Sequence, residues 1–315
     1  MRARIISTLV LYRYDRLVPD YMFMLTSALI LGAWLTVRRC RRHGLAEEDV
    51  YQAVFYALLL AFVGGRLVYF LQYSHEFMGQ PWELLDPMHG GIALYGGMLG
   101  LIAGPALYLR SRRLALGRYF DATVPALAIG LFLGRIGCFL AGCNWGKITS
   151  LPWGVRFPPP HHAYAQHLKA GLIERGSALS LPVHPTQLYE SLFGLAMFGL
   201  TTWWLVRTYP SEPRASASGV VSAQHLPAHS LTVAARIAVF FPRARPGQIF
   251  LTAISCYAVF RFLVEFIRAD SQGLRLGAIT VAQGLSILVF AVCQFFFWRD
   301  RRCNLRDIAE SRPLP

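Results

Sequence analysis

Long apolar stretches constrain the fold of this chain more than any other feature of its sequence. Hydrophobic residues make up 55% of its 315 positions, and the mean hydropathy of +0.40 is far from that of a water-soluble enzyme. A helix needs about 17–25 apolar residues to cross a bilayer core. Stretches of about that length occupy residues 21–37, 50–72, 90–109, 119–142, 185–206, 248–267 and 278–298. We therefore expect an all-α membrane protein with about seven transmembrane helices.

The arginines between these stretches predict how the chain is oriented. They cluster after the first, third, fifth and seventh stretches, whereas residues 73–89, 143–184 and 269–277 are poorer in short-range positive charge. Cytoplasmic loops carry the excess of Lys and Arg, so we expect the N-terminus outside and the C-terminus in the cytoplasm. The net charge of +14 is spread over these loops without a concentrated basic tract. This distribution argues against nucleic acid as a partner.

The chain is expected to form a single integral membrane domain over residues 1–315. Residues near 143–184 are predicted to be an extracytoplasmic loop. Residues near 207–246, rich in Ser, Ala, Arg and Pro, are predicted to be a flexible cytoplasmic insertion. The six cysteines suggest no metal or disulfide framework, because only Cys138 and Cys143 are close in sequence and a helix would separate them by more than one turn. No metal site is therefore expected.

Charged residues interrupt two of the apolar stretches. Arg135 lies within residues 124–141, and Arg261, Glu265 and Arg268 lie within residues 254–268. A charge at this depth is costly unless it faces a cavity, a partner or an anionic ligand. Arg261 and Glu265 are four residues apart and share a helix face, so a structural salt bridge is the alternative for that pair. The pattern indicates a phosphate group held inside the membrane.

Two further strings place polar groups and glycines beside apolar stretches. Residues 89–100 read HGGIALYGGMLG, and paired glycines permit the close approach of either a ligand or another helix. Residues 184–190 read HPTQLYE and open the fifth stretch, where a proline is typical of a first helical turn. Ligand binding and ordinary helix packing or capping both remain open for these strings.

The chain resembles the bacterial prolipoprotein diacylglyceryl transferase family in four segments. These segments match the family in order and in content, and they are residues 89–100, 134–147, 184–190 and 261–268. The most specific strings are GRIG…G…WG, from Gly134 to Gly146, and HPTQLYE. The resemblance implies a bacterial inner-membrane enzyme, without a cofactor, whose active site faces the extracytoplasmic side. Such an enzyme moves the diacylglyceryl group of phosphatidylglycerol to the lipobox cysteine thiol of a preprolipoprotein signal peptide and releases glycerol phosphate. This reaction is the first step of bacterial lipoprotein maturation, and its partners are membrane lipids and lipoprotein precursors.

The resemblance also carries residue roles to this chain. The family's essential arginines fall on Arg135 and Arg261, and arginine can bind a phosphodiester through two parallel hydrogen bonds. An acidic residue before the fourth span falls on Asp121. The candidate catalytic residues are Arg135, Arg261, Glu265, His184 and Tyr95. The candidate substrate-binding residues are Arg135 (for the phosphate), Tyr21, Gly96, Gly97, Cys138, Gly146, Gln187 and Tyr189.

The chain departs from the family's strings at two places. Tyr95 stands where many members have a histidine, and Cys138 stands where many have an asparagine, followed by Ala-Gly-Cys in place of Asn-Gly-Glu. The incoming thiol must become a thiolate, and a phenol with a pKa near 10 is a poor base. His184, His89 or Glu265 could take the proton instead, with Tyr95 positioning the substrate.

The same departures keep two other functions open. A divergent, non-catalytic family member could bind anionic lipid or lipoprotein precursors without turnover. A transporter of lipids or ions is the third possibility, because charges and broken helices within the membrane also suit translocation.

The insertion between Pro210 and Pro246 is predicted to be dispensable for the chemistry, because the charge rule places it across the bilayer from the site. Replacing it with a short Gly/Ser bridge should leave transfer of labelled diacylglyceryl to a lipobox peptide near the wild-type rate. Complete loss of transfer in a variant that is expressed and folded would contradict this placement.

Overall fold

The computed structural model describes residues 17–42, 44–72, 94–159, 161–209, 244–269, 275–276 and 279–310. Within these residues the secondary structure is helical, apart from two paired strands of two residues each. The helices are α1 (Leu17–Arg42), α2 (Glu47–Gln72), α3 (Leu94–Ser111), α4 (Leu116–Ala141), α5 (His162–Lys169), α6 (Thr186–Thr208), α7 (Gln248–Glu265) and α8 (Val281–Glu310). Strands β1 (Arg275–Leu276) and β2 (Ile279–Thr280) pair antiparallel just before α8. The all-α prediction is confirmed.

Each predicted apolar stretch coincides with a long helix in the described part of the chain. Five of these helices, α1, α2, α4, α7 and α8, are long and apolar enough to cross a membrane. Large apolar side chains also remain exposed on the outside of the helices, including Leu71 at 72%, Leu99 at 68% and Phe23 at 66%. A bilayer would cover such surface, whereas a soluble monomer rarely leaves so much of it in water. The exact number of seven crossings and the orientation stay predictions.

Glycines fix the contact between α2 and α3. Gly96, Gly100 and Gly104 repeat every four residues along α3, and a Cβ atom at any of them would overlap the backbone of α2. At Gly100 the overlapping group is the carbonyl of Leu60. This seam of small residues lets the two backbones approach closely. Helix packing therefore explains Gly96 and the glycines that follow it on the same face.

A buried carboxylate organises one end of the bundle. Asp121, near the start of α4, is fully buried and accepts hydrogen bonds from the backbone N–H groups of Gly247 (2.7 Å) and Phe250 (2.8 Å) at the start of α7. The hydroxyl of Tyr209, just past the end of α6, donates a third bond of 3.0 Å. A carboxylate is favourable where the N–H groups of a helix lack partners. Asp121 thus holds the starts of α4 and α7 and the end of α6 together.

The arginine-rich ends of the helices lie at this same end. Cys40 and Leu45 at the junction of α1 and α2 pack with Leu109 of α3 and Tyr119 of α4. Arg135 is fourteen residues beyond Asp121 on α4, a distance of about 21 Å along the helix. Any site around Arg135 therefore lies at the opposite end of the bundle from Asp121 and from the basic helix ends.

Asp121→Asn should destabilise the protein by about 2 kcal/mol, because the substitution removes a charge that accepts three buried hydrogen bonds. The measurement is the midpoint of thermal unfolding in detergent. Asp300→Asn is the matched control, since the Asp300 side chain is 47% exposed and pairs with Arg245 at 3.6 Å. Equal midpoints for the two variants would contradict the anchoring role of Asp121.

Candidate functional site: a buried charge cluster

At the end of α4 the chain turns back and contacts the last turn of that helix. Gly142 adopts a left-handed conformation with φ of +67°, its N–H donates to the carbonyl of Phe139 (3.2 Å), and the N–H of Cys143 donates to the carbonyl of Cys138 (3.1 Å). These two bonds define a Schellman motif, in which the residue after the glycine folds back onto the helix. The prediction that a helix would keep the two cysteines more than a turn apart is therefore wrong, because the helix ends at Ala141.

The first turn of α6 holds the segment that follows. The Thr186 hydroxyl donates to the carbonyl of Asn144, and Gln187 Nε2 donates to the carbonyl of Cys143, both at 2.6 Å. Thr186 and Gln187 are fully buried. Gln187, a predicted substrate-binding residue, thus fixes the backbone of the reversed segment against α6.

Gly146 lies where three parts of the chain meet. Its N–H donates to the carbonyl of His184 at 2.9 Å, and it forms an isolated β-bridge with Arg268. A Cβ atom there would lie 2.5 Å from the His184 Cβ and 2.9 Å from the Ile267 carbonyl oxygen. The structure thus requires glycine for close backbone packing at this position. Its predicted contact with substrate stays a prediction.

Five charged side chains form a group of ion pairs beside residues 142–146. We call this group the charge cluster, and its members are Arg135, Glu190, Arg261, Glu265 and Arg268. Arg135 Nη2 lies 2.7 Å from Glu190 Oε2, and Arg268 Nη1 lies 3.6 Å from Glu190 Oε1. Arg268 Nε is 3.7 Å from Glu265 Oε2, which also pairs with Arg261 one helical turn earlier. The cluster joins the end of α4, the start of α6 and the end of α7.

The charge cluster is buried and its charges do not cancel. Glu190 and Glu265 are 0% and 2% exposed, Arg268 is 9% exposed, and Arg135 and Arg261 are each 17% exposed. Three guanidiniums face two carboxylates, which leaves one positive charge within the cluster. Buried charge is costly unless it is paired. An anionic group reaching the partly exposed Arg135 and Arg261 would complete the pairing.

Neutral polar groups orient Glu265, the last residue of α7, and Arg268, which follows this helix. The amide oxygen of Asn144 accepts a 2.6 Å hydrogen bond from Arg268 Nη2, and the hydroxyl of Thr280 donates a 3.1 Å bond to Glu265 Oε1. Asn144 has a φ of +59°, a left-handed conformation that Asn tolerates better than most residues. The chain reversal after α4 is therefore what presents an amide to the charge cluster.

The two cysteines lie beside these groups. Asn144 Nδ2 is 3.3 Å from Cys143 Sγ and 3.6 Å from Cys138 Sγ, and the Cys138 thiol also bonds with the guanidinium of Arg135. Hydrogen bonding to Cys138 raises the pKa of the Cys143 thiol. Cys138, predicted to bind substrate, is thus in direct contact with the charge cluster.

Two tyrosines border Arg135. The ring of Tyr21, on α1, packs against Gly137, where a Cβ atom would lie 3.3 Å from Tyr21 Cδ2, and its hydroxyl interacts electrostatically with Arg135. Tyr257, on α7, is hydrogen-bonded to the Arg135 side chain. Tyr21 was predicted as a site residue from the family resemblance, whereas Tyr257 was not. Tyr257, Arg261 and Glu265 follow at intervals of four and share one face of α7.

His184 and Tyr189 form a separate group. His184 Nδ1 lies 3.2 Å from the Tyr189 hydroxyl, which also accepts a 2.8 Å bond from Trp153 Nε1. These contacts join His184 to Tyr189 and Trp153 rather than to the charge cluster. Both residues are half-buried and stay predicted members of the site.

The structure brings most, but not all, of the predicted residues together. Arg135, Arg261, Glu265, Cys138 and Tyr21 meet at the charge cluster. Gly96 and Gly97 lie on α3, near the contact with α2. Tyr95 is the second residue of α3, but its side chain lies outside the described residues, as does all of His89.

Sequence reasoning missed Glu190 and Asn144 as members of the site. It named Arg268 among the charges inside the apolar stretches but did not include it among the candidate site residues. Glu190 closes the HPTQLYE string three residues after Gln187, a spacing that places both on one helix face. Arg268 follows Glu265 by the same interval. These spacings were a usable signal for Glu190 and Arg268. The position of Asn144 depends on the chain reversal at Gly142 and had no such signal.

Glu190→Ala should lower the free energy of unfolding by about 3–5 kcal/mol, because it leaves two buried guanidiniums without their shared partner. Thermal unfolding in detergent would measure the loss, and Glu190→Gln should recover only part of it. Glu47→Ala is the control, since Glu47 and its partner Arg41 are 39% and 60% exposed and such surface pairs contribute little. If Glu190→Ala and the control unfold at the same temperature, the ion pairs of Glu190 do not stabilise the fold.

Comparisons with known proteins cover most of the chain. The family described as prolipoprotein diacylglyceryl transferase matches residues 15–232 and 226–299. A protein of Bordetella avium (strain 197N) named phosphatidylglycerol–prolipoprotein diacylglyceryl transferase is 30% identical over 274 residues, which cover 86% of this chain and 84% of the relative. Proteins of the same name from Xylella fastidiosa (strain 9a5c) and Coxiella burnetii (strain Dugway 5J108-111) are 31% and 29% identical over 82% and 88% of this chain and 80% and 88% of their own lengths. Because the family model and these relatives each match most of its length, this chain belongs to the prolipoprotein diacylglyceryl transferase family.

Proposed function

We propose that this protein transfers the diacylglyceryl group of phosphatidylglycerol to the lipobox cysteine of preprolipoproteins, and that the charge cluster is its active site. Family membership supports the reaction, because the relatives are named for that substrate lipid and that protein acceptor. The observation that carries the placement is the pair of partly exposed guanidiniums, Arg135 and Arg261, each held from behind by a buried glutamate. A phospholipid phosphate has the charge to pair with them.

The geometry suits a phosphodiester held between two arginines. Arg135 and Arg261 are the more exposed guanidiniums of the charge cluster, while Glu190 and Glu265 fix them from the buried side. Guanidinium groups bind phosphate through paired hydrogen bonds, and preorganised donors stabilise charge that develops on a leaving group. Arg268 is held by both glutamates and by Asn144. We assign Arg268 to positioning the two glutamates and not to phosphate binding.

The transfer breaks one bond and forms another. The lipobox sulphur attacks the glycerol carbon that carries the phosphate ester, a C–S bond forms, and the C–O bond to the phosphate breaks. Glycerol phosphate leaves with the bonding electrons, where Arg135 and Arg261 stabilise its added charge. The thiol proton passes to a base, since the thiolate is the nucleophilic form. His184, a half-buried residue in contact with Tyr189, is our candidate for that base.

We place the charge cluster on the extracytoplasmic side of a bacterial inner membrane. The cluster lies at the opposite end of α4 from Asp121 and the basic helix ends, and basic segments favour the cytoplasm. This arrangement would let a secreted precursor present its lipobox thiol to the site from outside.

A non-catalytic role in lipid binding is the second candidate, and the thiol pair favours it. Cys138 and Cys143 lie where many family members have an asparagine and a glutamate, so an amide and a carboxylate are replaced by thiols beside Arg135. Release of glycerol phosphate from labelled phosphatidylglycerol in the presence of a lipobox peptide distinguishes the two roles. Saturable retention of the lipid without release would support the binding role.

Arg135→Ala and Arg261→Ala should each lower transfer by about 10²–10³-fold, the range measured when one group that stabilises developing charge is removed. Arg→Lys variants should recover little, because an ammonium cannot form the paired hydrogen bonds. The assay is transfer of labelled diacylglyceryl to a lipobox peptide in membranes. Arg41→Ala, at the opposite end of the bundle, is the control and should keep the wild-type rate.

Near-normal transfer by both alanine variants would place the phosphate site elsewhere. Each variant should be assayed well below its own unfolding temperature, because each arginine pairs with a buried glutamate and its removal lowers stability. Loss of binding and loss of folding are then separable.

Tyr95→Phe should keep measurable transfer, whereas His184→Ala should lose most of it. Imidazole is the commonest general base at neutral pH, and a phenol is a poor one unless a cation assists it. The Tyr189 contact orients the His184 ring, so Tyr189→Phe should reduce transfer less than His184→Ala does. An inactive Tyr95→Phe beside an active His184→Ala would make the tyrosine the catalytic group.

A further inference from the structure

We propose that Cys138 and Cys143 form a reversible disulfide beside the charge cluster, which makes this segment a thiol-oxidation site. The formation of this bond does not depend on the transferase reaction. Its effect on transfer, described below, rests on the proposed function. Its occurrence in cells rests on the proposed extracytoplasmic position, because oxidising compartments are where disulfides persist.

Backbone geometry, and not chance side-chain contact, brings the two thiols together. In the Schellman motif at the end of α4, the N–H of Cys143 donates to the carbonyl of Cys138 at 3.1 Å. The side chains of these two positions commonly touch in this motif. Gly142 cannot be replaced without moving His161, since a Cβ atom there would overlap the His161 ring. The reversal that pairs the cysteines is therefore held in place by packing.

The two thiol groups share their surroundings. Both sulphurs lie within 3.6 Å of the single nitrogen Asn144 Nδ2, and the Cys143 thiol donates a 3.6 Å hydrogen bond to the carbonyl of Cys138. Both cysteines are free thiols in this structure. Cys143 is partly exposed and can meet an external reagent, whereas Cys138 is 9% exposed. This arrangement of one accessible and one buried thiol suits a two-step exchange.

The oxidant is an external disulfide, of a small molecule or of a protein. One thiolate of the pair attacks it, which forms a mixed disulfide and releases one external thiol. The second thiolate then attacks the mixed disulfide, forms the Cys138–Cys143 bond and releases the other external thiol. Two protons leave the pair, and the two electrons reduce the external disulfide. A reductant reverses both steps.

Oxidation would change the surroundings of Arg135. Bond formation draws the Cys138 and Cys143 sulphurs to covalent distance and removes both thiol protons, so the contacts of these sulphurs with the Arg135 guanidinium and with Asn144 Nδ2 change. Asn144 is also the residue that binds Arg268. We therefore expect oxidation to lower transfer and reduction to restore it.

The chain offers a direct test by mass spectrometry. Cleavage after Arg135 and Lys147 releases residues 136–147, which contain Cys138 and Cys143 and no other cysteine. Membranes containing the full-length protein are treated with oxidised glutathione, denatured, alkylated and digested. We expect this peptide to carry no alkyl group and to weigh two hydrogens less than the dithiol form. If the oxidised sample is treated with dithiothreitol before alkylation, the peptide should again carry two alkylated cysteines.

Other cysteines supply the controls within the same sample. Residues 244–261 contain Cys256, and residues 276–299 contain Cys293. Both peptides should remain alkylated under the conditions that oxidise residues 136–147. In Cys143→Ser, Cys138 should stay alkylated or carry a single glutathione, and transfer should no longer respond to the oxidant. Cys256→Ser should keep the response of the wild type.

The outcomes separate this inference from the proposed function. Full alkylation of residues 136–147 after oxidation, or a mixed disulfide alone, overturns the inference whatever the transfer assay shows. An internal disulfide in a protein that transfers no lipid in either redox state supports the inference and contradicts the proposed function. Equal transfer by the oxidised and reduced protein would overturn the regulatory part and leave the disulfide site standing.

Discussion

The charge cluster depends on one carboxylate with no exposure to solvent. Glu190 lies between Arg135 of α4 and Arg268, which follows α7, so a single side chain of α6 couples three helices. A buried carboxylate with one guanidinium on each side is stable only while all three helices keep their places. The site and the helix packing around it are therefore one structure, and a change at Glu190 affects both.

A second buried carboxylate, Asp121, holds the other end of α4 in place. Asp121 binds the backbone at the start of α7 and the hydroxyl of Tyr209, while Arg135 is bound from α6. Helix α4 is thus anchored near both ends, about 21 Å apart. The position that the family resemblance assigned to an acidic residue is used here for this anchoring. Rigid placement of α4 is what keeps Arg135 at a fixed depth.

Glycines of this fold serve three different physical purposes. Gly96 and Gly100 allow two helices to touch, Gly142 provides the left-handed turn that ends α4, and Gly146 allows three segments to cross. At each of them a neighbouring group lies where a Cβ atom would be. The turn at Gly142 has the largest consequence, because it brings Asn144 to Arg268 and Cys143 to Cys138.

The sequence by itself determined the helical fold with its long apolar helices, the positions of those helices and the presence of Arg135, Arg261 and Glu265 inside apolar stretches. Apolar length and i, i+4 spacing are local properties, so the order of residues along the chain is enough to recognise them. Only the tertiary structure decided which charges pair. Glu190 meets Arg135 across 55 positions of sequence, and Asn144 meets Arg268 across 124. Those contacts, and the pairing of the two cysteines, follow from a chain reversal and from helix packing, which depend on where distant segments lie in space.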